Sequence, residues 1–434
     1  MGALIEVPIL LLLGGAGLSG FFLVGVRAPL VLAGSAVLGA CAVSLCAFPL
    51  AMFLGLPPLS LALILSGALV TLAFPHLNSP ELRQGFGAFL VLVVGAWVLR
   101  FVIQVPERPG EDAISVMLQS VLEIQQGEPP SDFRRSYAYP LLIALGPEGT
   151  ILASATPLIA LSVATVVVGF AVELLRDAAK SVRLWSITLG VIVVLSAPIV
   201  WIALVYTNSH ILMALCIAVA SGGVAASVSS LDLSTPTLGL LAASLLVGSV
   251  TRFEGALMML VVLAPLLIGT SSFLASRRVT VLGIALVPSF GLSSWMVLSP
   301  SAPPVQPLLL IAALAGLPAL IIGIAKLAGL RVEGVFVGAG WILSIGGALA
   351  LPLAGRGLSG LGSFAEAIFF NFVLGVSGWG AVFPATLVAL TLLFWRRNRR
   401  VYQVVMQTWV WGICATVIVK LLDSPATNLG FNNS

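Results

Sequence analysis

Uninterrupted apolar segments of about twenty residues recur from one end of this sequence to the other, and they leave it few folds to adopt. The hydrocarbon core of a bilayer is about 30 Å thick and takes about 20 residues of helix to cross. Runs near that length occupy roughly 3–25, 29–54, 57–75, 85–105, 151–175, 184–206, 209–230, 237–251, 254–273, 279–299, 308–328, 332–353, 377–395 and 401–422. The run at 237–251 is short for a span and fits a re-entrant segment as well. A β-barrel, the other structure that satisfies its own backbone in lipid, needs short segments of alternating polarity. These runs are continuous, so the expected fold is all-α: a polytopic transmembrane helical bundle of about fourteen spans. Only 8% of the residues are charged, against about a quarter in soluble domains, so the chain cannot clothe a water-facing surface.

Basic clusters orient the bundle. Arg27 follows the first run, Arg176, Lys180 and Arg183 the fifth, Arg277 and Arg278 the ninth, and Arg396, Arg397, Arg399 and Arg400 the thirteenth. Lys326 and Arg331 bracket the end of the eleventh. With the N-terminus outside, every one of these falls in the cytoplasm, as the positive-inside rule asks. MGALIEVPILLLL lacks the basic region of a cleavable signal, so it reads as the first span. The chain then divides into four parts: an N-terminal four-span segment (1–105), a polar extracytoplasmic loop (106–150), the remaining bundle (151–422) and a polar tail (423–434). The excess of Arg over Lys and the Ala/Gly/Val/Leu bias suggest a GC-rich bacterial gene, so the expected location of these spans is a bacterial cytoplasmic (inner) membrane. The net charge of +4 sets orientation; with no basic stripe interleaved with aromatics, nucleic acid is not an expected partner.

The 106–150 loop holds Glu107, Arg108, Glu111, Asp112, Glu123, Glu128, Asp132, Arg134, Arg135 and Glu148, a large share of the acids in the chain. Within it, Ala113–Gln126 reads as a helix. Ile114, Met117, Leu118, Val121, Leu122 and Ile124 form an apolar stripe that suits the interface plane. Gly127-Glu128-Pro129-Pro130 ends it. Residues 357–374 read as a second interfacial helix, with Phe364, Ile368, Phe369, Phe370 and Phe372 facing lipid. The residues able to do chemistry are few, and each has a plainer reading. Glu111 and Asp112 are carboxylates that can accept a proton, or an N-cap with solvated acids. Arg134 and Arg135 can fork onto phosphate oxygens, or meet lipid headgroups. Tyr137 and Tyr139 can stack on a sugar or anchor at the interface. Arg252 and Glu254 lie between apolar runs, where ionisable groups are usually functional, or pair with each other. His210 is a hydrogen-bonded structural group or an acceptor contact, and Arg100 reads as snorkelling. Glu173 is placed to pair with Arg176 or Lys180.

The loop resembles the first extracytoplasmic loop of the GT-C superfamily of glycosyltransferases. There an acid or two precedes an in-plane helix with a small-residue stop, followed by an arginine and a Tyr-Pro pair. The matching features here are Glu111-Asp112, the helix to Gly127, Arg134-Arg135 and Tyr139-Pro140. Residues 249–255, SVTRFEG, resemble a second element of these enzymes, arginine-any-glutamate-glycine. The resemblance covers roughly residues 100 to 260. Two features differ: four runs precede the loop, where members usually have one, and no soluble C-terminal domain follows, as in a short variant or an incomplete chain. The resemblance implies a GT-C-like arrangement and an inverting transfer of a sugar from a polyprenyl-phosphate donor. The acceptor would be a cell-envelope glycan, glycolipid or protein on the extracytoplasmic side. It makes Asp112 the general base with Glu111 second, and Arg135, Arg134 and Arg252 the donor-phosphate ligands. Glu254, Tyr137, Tyr139 and His210 become substrate contacts.

No cofactor is assigned. A divalent cation between Asp112 and Glu254 is the one such group these residues admit. Cys41, Cys46, Cys216 and Cys414 sit in apolar runs without ligand spacing, so they read as core side chains and metal ligands are not expected among them. Two other function classes fit the composition. One is a glycan polymerase or ligase of another fold. The other is a lipid-linked-sugar flippase or transporter, which calls for ionisable groups deep in several spans.

Overall fold

A computed structural model of the chain describes residues 2–102, 118–128, 138–146, 152–196, 209–230 and 234–251, with isolated positions from 255 to 391. Two compact units divide the chain. The first takes in Met1–Ile187, Ile202–Met259 and Gly283–Leu308, and the second Thr188–Trp201, Leu260–Leu282 and Leu309–Ser434. Most of the described residues belong to the first. They form helices, in chain order α1 (Gly2–Leu23), α2 (Pro29–Leu54), α3 (Pro58–Ala73), a 3-10 turn (Phe74–His76) and α4 (Pro80–Val102). Two short helices come next, α5 (Gln119–Gln125) and α6 (Ala138–Ala144), then α7 (Ala155–Leu174) and α8 (Lys180–Leu195), which runs on into the second unit. The last are α9 (Ser209–Ser230) and α10 (Thr235–Ser249).

Among the described residues there is no strand, and six helices are long and apolar enough to cross a membrane: Ile5–Leu23, Pro29–Ala51, Leu59–His76, Pro80–Arg100, Ala155–Leu174 and His210–Ser227. These match the first five apolar runs and the seventh. The sixth run, 184–206, is described as far as residue 196 and the eighth, 237–251, forms the shorter apolar helix α10, while the runs from 254 onward and the helix expected at 357–374 lie largely or wholly outside the described residues. Phe53, Ile64, Leu72, Phe74 and Val91 are all well exposed on α2, α3, the turn after it and α4. Large apolar side chains in such number on the outside call for hydrocarbon as solvent.

The core is organised around α2, which packs against α1, α3, α4, α6, α7, α9 and α10. Small residues let the backbones close up, since apolar side chains gain little by leaving one hydrocarbon for another and close packing must hold the helices. At the α1–α2 crossing a Cβ on Gly39 would stand 2.5 Å from Gly17 Cα, and one on Gly17 would strike Ala36 O. The α2–α7 crossing works the same way, through Gly34 against the Val166 backbone and Gly169 against Val31. Neither contact is with a flexible side-chain end, so neither can yield cheaply. Gly17→Val is therefore expected to destabilise the bundle by about 3 kcal/mol, at the upper end for overpacking. Gly20→Val, whose Cβ would meet nothing within 4 Å, should stay within about 0.5 kcal/mol. Thermal unfolding of the two variants in one detergent checks both; equal midpoints would show that the crossing has room for a side chain.

Short connections make α1 to α4 alternate in direction, and tertiary contacts extend the alternation. Gly25 meets Pro236 and Gly239 meets Val24, so α10 starts beside the end of α1, near Arg27. Gly223 lies against Thr237 and Leu241, and Gly248 against Cys216, so α9 and α10 are antiparallel. One end of the unit therefore gathers Arg27 and the start of α10. The other gathers the starts of α1, α7 and α9 with the ends of α4 and α10. Cys41 and Cys216 are buried with free thiols, and Cys46 is free and exposed.

Candidate functional site

The end opposite Arg27 is where the polar side chains of the unit converge. Its first constituent is Glu6, one turn into α1 and almost fully buried. Arg100, in the last turn of α4, donates from Nη1 to Glu6 Oε1 at 2.6 Å, and its side chain remains 23% exposed. Ser154, at the N-cap of α7, donates its backbone N–H to Glu6 Oε2 at 3.2 Å and its hydroxyl to the same oxygen at 2.8 Å. The Ser154 side chain caps no N–H of its own helix, because Glu6 takes it instead. A buried carboxylate is tolerable only when a counter-charge and further donors replace its water. Glu6 has both, and the N-terminus of α7 adds a favourable dipole. Arg100 is thus not a snorkelling cation: α1 carries a carboxylate at its own level, and the pair satisfies both groups at the bundle end.

The second constituent is α6. All seven of its residues are buried. Its first amide, Ala138 N–H, donates to Val250 O at 3.1 Å, directly after the end of α10. At 15 residues, α10 rises only about 22 Å, short of a full crossing, and α6 meets its carboxyl end. The short 237–251 run thus finds its complement inside the polar loop. The residues around Tyr139-Pro140, part of the polar loop in sequence, form a buried helix that packs against α2 and α5, with Leu141, Leu142 and Ile143 enclosed. Tyr139 is 0% exposed and its hydroxyl shares a 2.5 Å hydrogen bond with Thr156 Oγ1. An enclosed ring offers no face to a sugar or to the interface, so Tyr139 has a packing role here.

The third constituent is α5, which rests on α6 through buried Val121 and Ile124. Gln125 Nε2 donates to Ala144 O at 3.2 Å, and Gln119 Nε2 to Glu123 Oε1 at 3.0 Å. Gly127, at φ +78°, ends the helix as its sequence position indicates. Leu122, counted in the apolar stripe, is 54% exposed, since the face buried against α6 is narrow and carries only Ser120, Val121 and Ile124. The earlier part of the expected helix, 113–117, lies outside the described residues.

His210 is exposed at the start of α9, at this same end of the unit. The remaining sequence candidates, Glu111, Asp112, Arg134, Arg135, Tyr137, Arg252 and Glu254, lie outside the described residues, and so does the cation site offered between Asp112 and Glu254. At the opposite end, Glu173 makes no ion pair with Arg176 or Lys180 among the described residues. Helix α7 stops at Leu174, and Arg176 N–H donates to Glu173 O instead, so the helical spacing the pair needs is gone. Glu6 is the group that reading the sequence missed. The signal was there: it is the only acid before Glu81, and in an alternating bundle the start of the first span and the end of the fourth share a face. Compared with models of protein families, with curated proteins and with solved structures, the chain matches none.

Proposed function

We propose that this chain is an integral membrane glycosyltransferase that moves a sugar from a polyprenyl-phosphate donor to a cell-envelope glycan, glycolipid or protein acceptor outside the cytoplasm. One observation carries most of the support: the hydrogen bond from Ala138 N–H to Val250 O. Arg134, Arg135 and Tyr137 immediately precede Ala138, and Arg252 and Glu254 immediately follow Val250. Each residue extends a chain by at most about 3.6 Å. Ala138 and Val250, the described neighbours of two stretches that resemble separate motifs of one enzyme class, thus meet at one bundle end, which supports this reading.

In this proposal the acceptor hydroxyl oxygen attacks the anomeric carbon, and Asp112, with Glu111 as second choice, takes the hydroxyl proton. The bond from that carbon to the phosphate oxygen breaks, and the electron pair leaves on the lipid phosphate. Arg135, Arg134 and Arg252 neutralise that phosphate, since a guanidinium matches its oxygens in a forked geometry. A donor with a polyprenyl tail enters sideways from lipid, which suits a site at the end of the spans. The flippase alternative draws on the Glu6–Arg100 pair, an ionised pair within the bundle. Its position at helix ends, not mid-span, suits a fixed interfacial site better than a translocation path.

The test is transfer by the full chain in nanodiscs, offered synthetic polyprenyl-phosphate sugars and envelope lipid acceptors. Arg135→Ala and Arg252→Ala are each expected to raise the donor KM about 10- to 100-fold, as loss of a charge-assisted hydrogen bond does. Carrier movement across liposomes without any covalent product would replace this reading with the flippase.

A further inference from the structure

The carboxylate of Glu6 holds both ends of one stretch of chain. Arg100 lies just before residues 103–151 and Ser154 just after, and each is bonded to a different oxygen of the same group. The contacts use three of the roughly four acceptor sites of a carboxylate: Oε1 takes the guanidinium at 2.6 Å, and Oε2 takes the Ser154 amide and hydroxyl. Tyr139 with Thr156, and Leu152 N–H with Ile143 O at 3.1 Å, tie the later part of this stretch to the start of α7. At its start, Glu6 joins the end of α4 to the cap of α7 through Arg100 and Ser154, beside the direct packing of α4 on α7. An apolar side chain at position 6 would satisfy the helix just as well, and a buried charge is costly where packing alone is needed.

We propose that Glu6 is a positioning residue that clamps the two roots of the 103–151 segment, and so fixes where the reacting groups carried by that segment stand. The part concerning reacting groups rests on the transferase reading; the clamp itself does not. Glu6 touches neither substrate nor reacting atoms in this scheme. It acts through Arg100 and Ser154.

The test uses the full chain in nanodiscs, as wild type, Glu6→Gln and the milder Ser154→Ala. Limited trypsin digestion is read as a ratio: cleavage at Arg108, Arg134 and Arg135 against cleavage at Arg176, Lys180 and Arg183. A released clamp should raise that ratio about fivefold or more, because local opening is confined to the freed segment. Transfer kinetics should show kcat/KM for the donor falling about 10-fold or more, because Asp112, Arg134 and Arg135 all ride on the released segment. An unchanged ratio in both variants overturns the clamp. A rise shared equally by both sets of sites also overturns it, since Glu6 would then hold the whole fold and not the segment. A selective rise in a protein that transfers no sugar keeps the clamp and removes the transferase reading.

Discussion

Replacing Asp112 with Asn is expected to lower sugar transfer by about 10²- to 10⁴-fold, the range that general-base catalysis supplies, with no loss of folded protein. The physical reason is the acidity of the acceptor. A sugar hydroxyl holds its proton far above neutral pH, so attack on the anomeric carbon needs a carboxylate to accept that proton as the bond forms. Asparagine has the size and polarity of aspartate but cannot take a proton. The amide can still serve as an N-cap, so the substitution separates the two readings of this position. If Asp112 only caps the adjoining helix, transfer and stability should both be nearly unchanged. Glu111→Gln, tested beside it, should cost less if Asp112 is the base; a larger loss from Glu111→Gln would exchange their roles. Initial rates at saturating donor, with folded protein quantified by size exclusion in detergent, decide the matter. Undiminished transfer by Asp112→Asn removes the assigned base.

Arg100→Ala should be the most damaging change to stability at this end, costing about 3 kcal/mol. Breaking a buried ion pair from one side costs about 3–5 kcal/mol, because the partner stays buried without its counter-charge. The lower figure applies since Arg100 is partly exposed, at 23%, and water can enter where it stood. Glu6 would keep only the two Ser154 donors. Replacing both partners is the informative control: Glu6→Leu with Arg100→Leu should recover at least half of the loss, because a well-packed apolar pair often equals the ion pair it replaces. Equilibrium unfolding in mixed micelles, read by helical circular dichroism, measures both. A loss under about 1 kcal/mol for Arg100→Ala would mean that the pair is hydrated and of the weak, surface kind.

How far the sequence can be read depends on how local the cause is. Span positions are legible because crossing lipid demands a property of each segment alone: length and apolarity. The expected 3–25, 29–54 and 209–230 correspond to Gly2–Leu23, Pro29–Leu54 and Ser209–Ser230. Gly127 is legible as a helix stop for the same reason, since a left-handed φ is a property of one residue. The failures share the opposite cause. Arg100 reads as snorkelling because its partner lies 94 residues away. Tyr139 reads as a substrate or interface group because nothing in its own neighbourhood says that α6 is covered by α2 and α5.

The apolar runs alone dictated a helical chain with lipid as its main solvent, the approximate ends of the described spans, and which segment is polar. The reason is that satisfying the backbone in hydrocarbon is settled within each helix. Only the tertiary structure decided which of the few charges meet. Glu6, Arg100 and Ser154 are joined because alternating helices bring their ends to one level, and Ala138 finds Val250 because a short α10 leaves space for α6. In a chain with so few ionisable groups, pairing is a matter of which helix ends face one another, and packing through glycines such as Gly17 and Gly39 sets that.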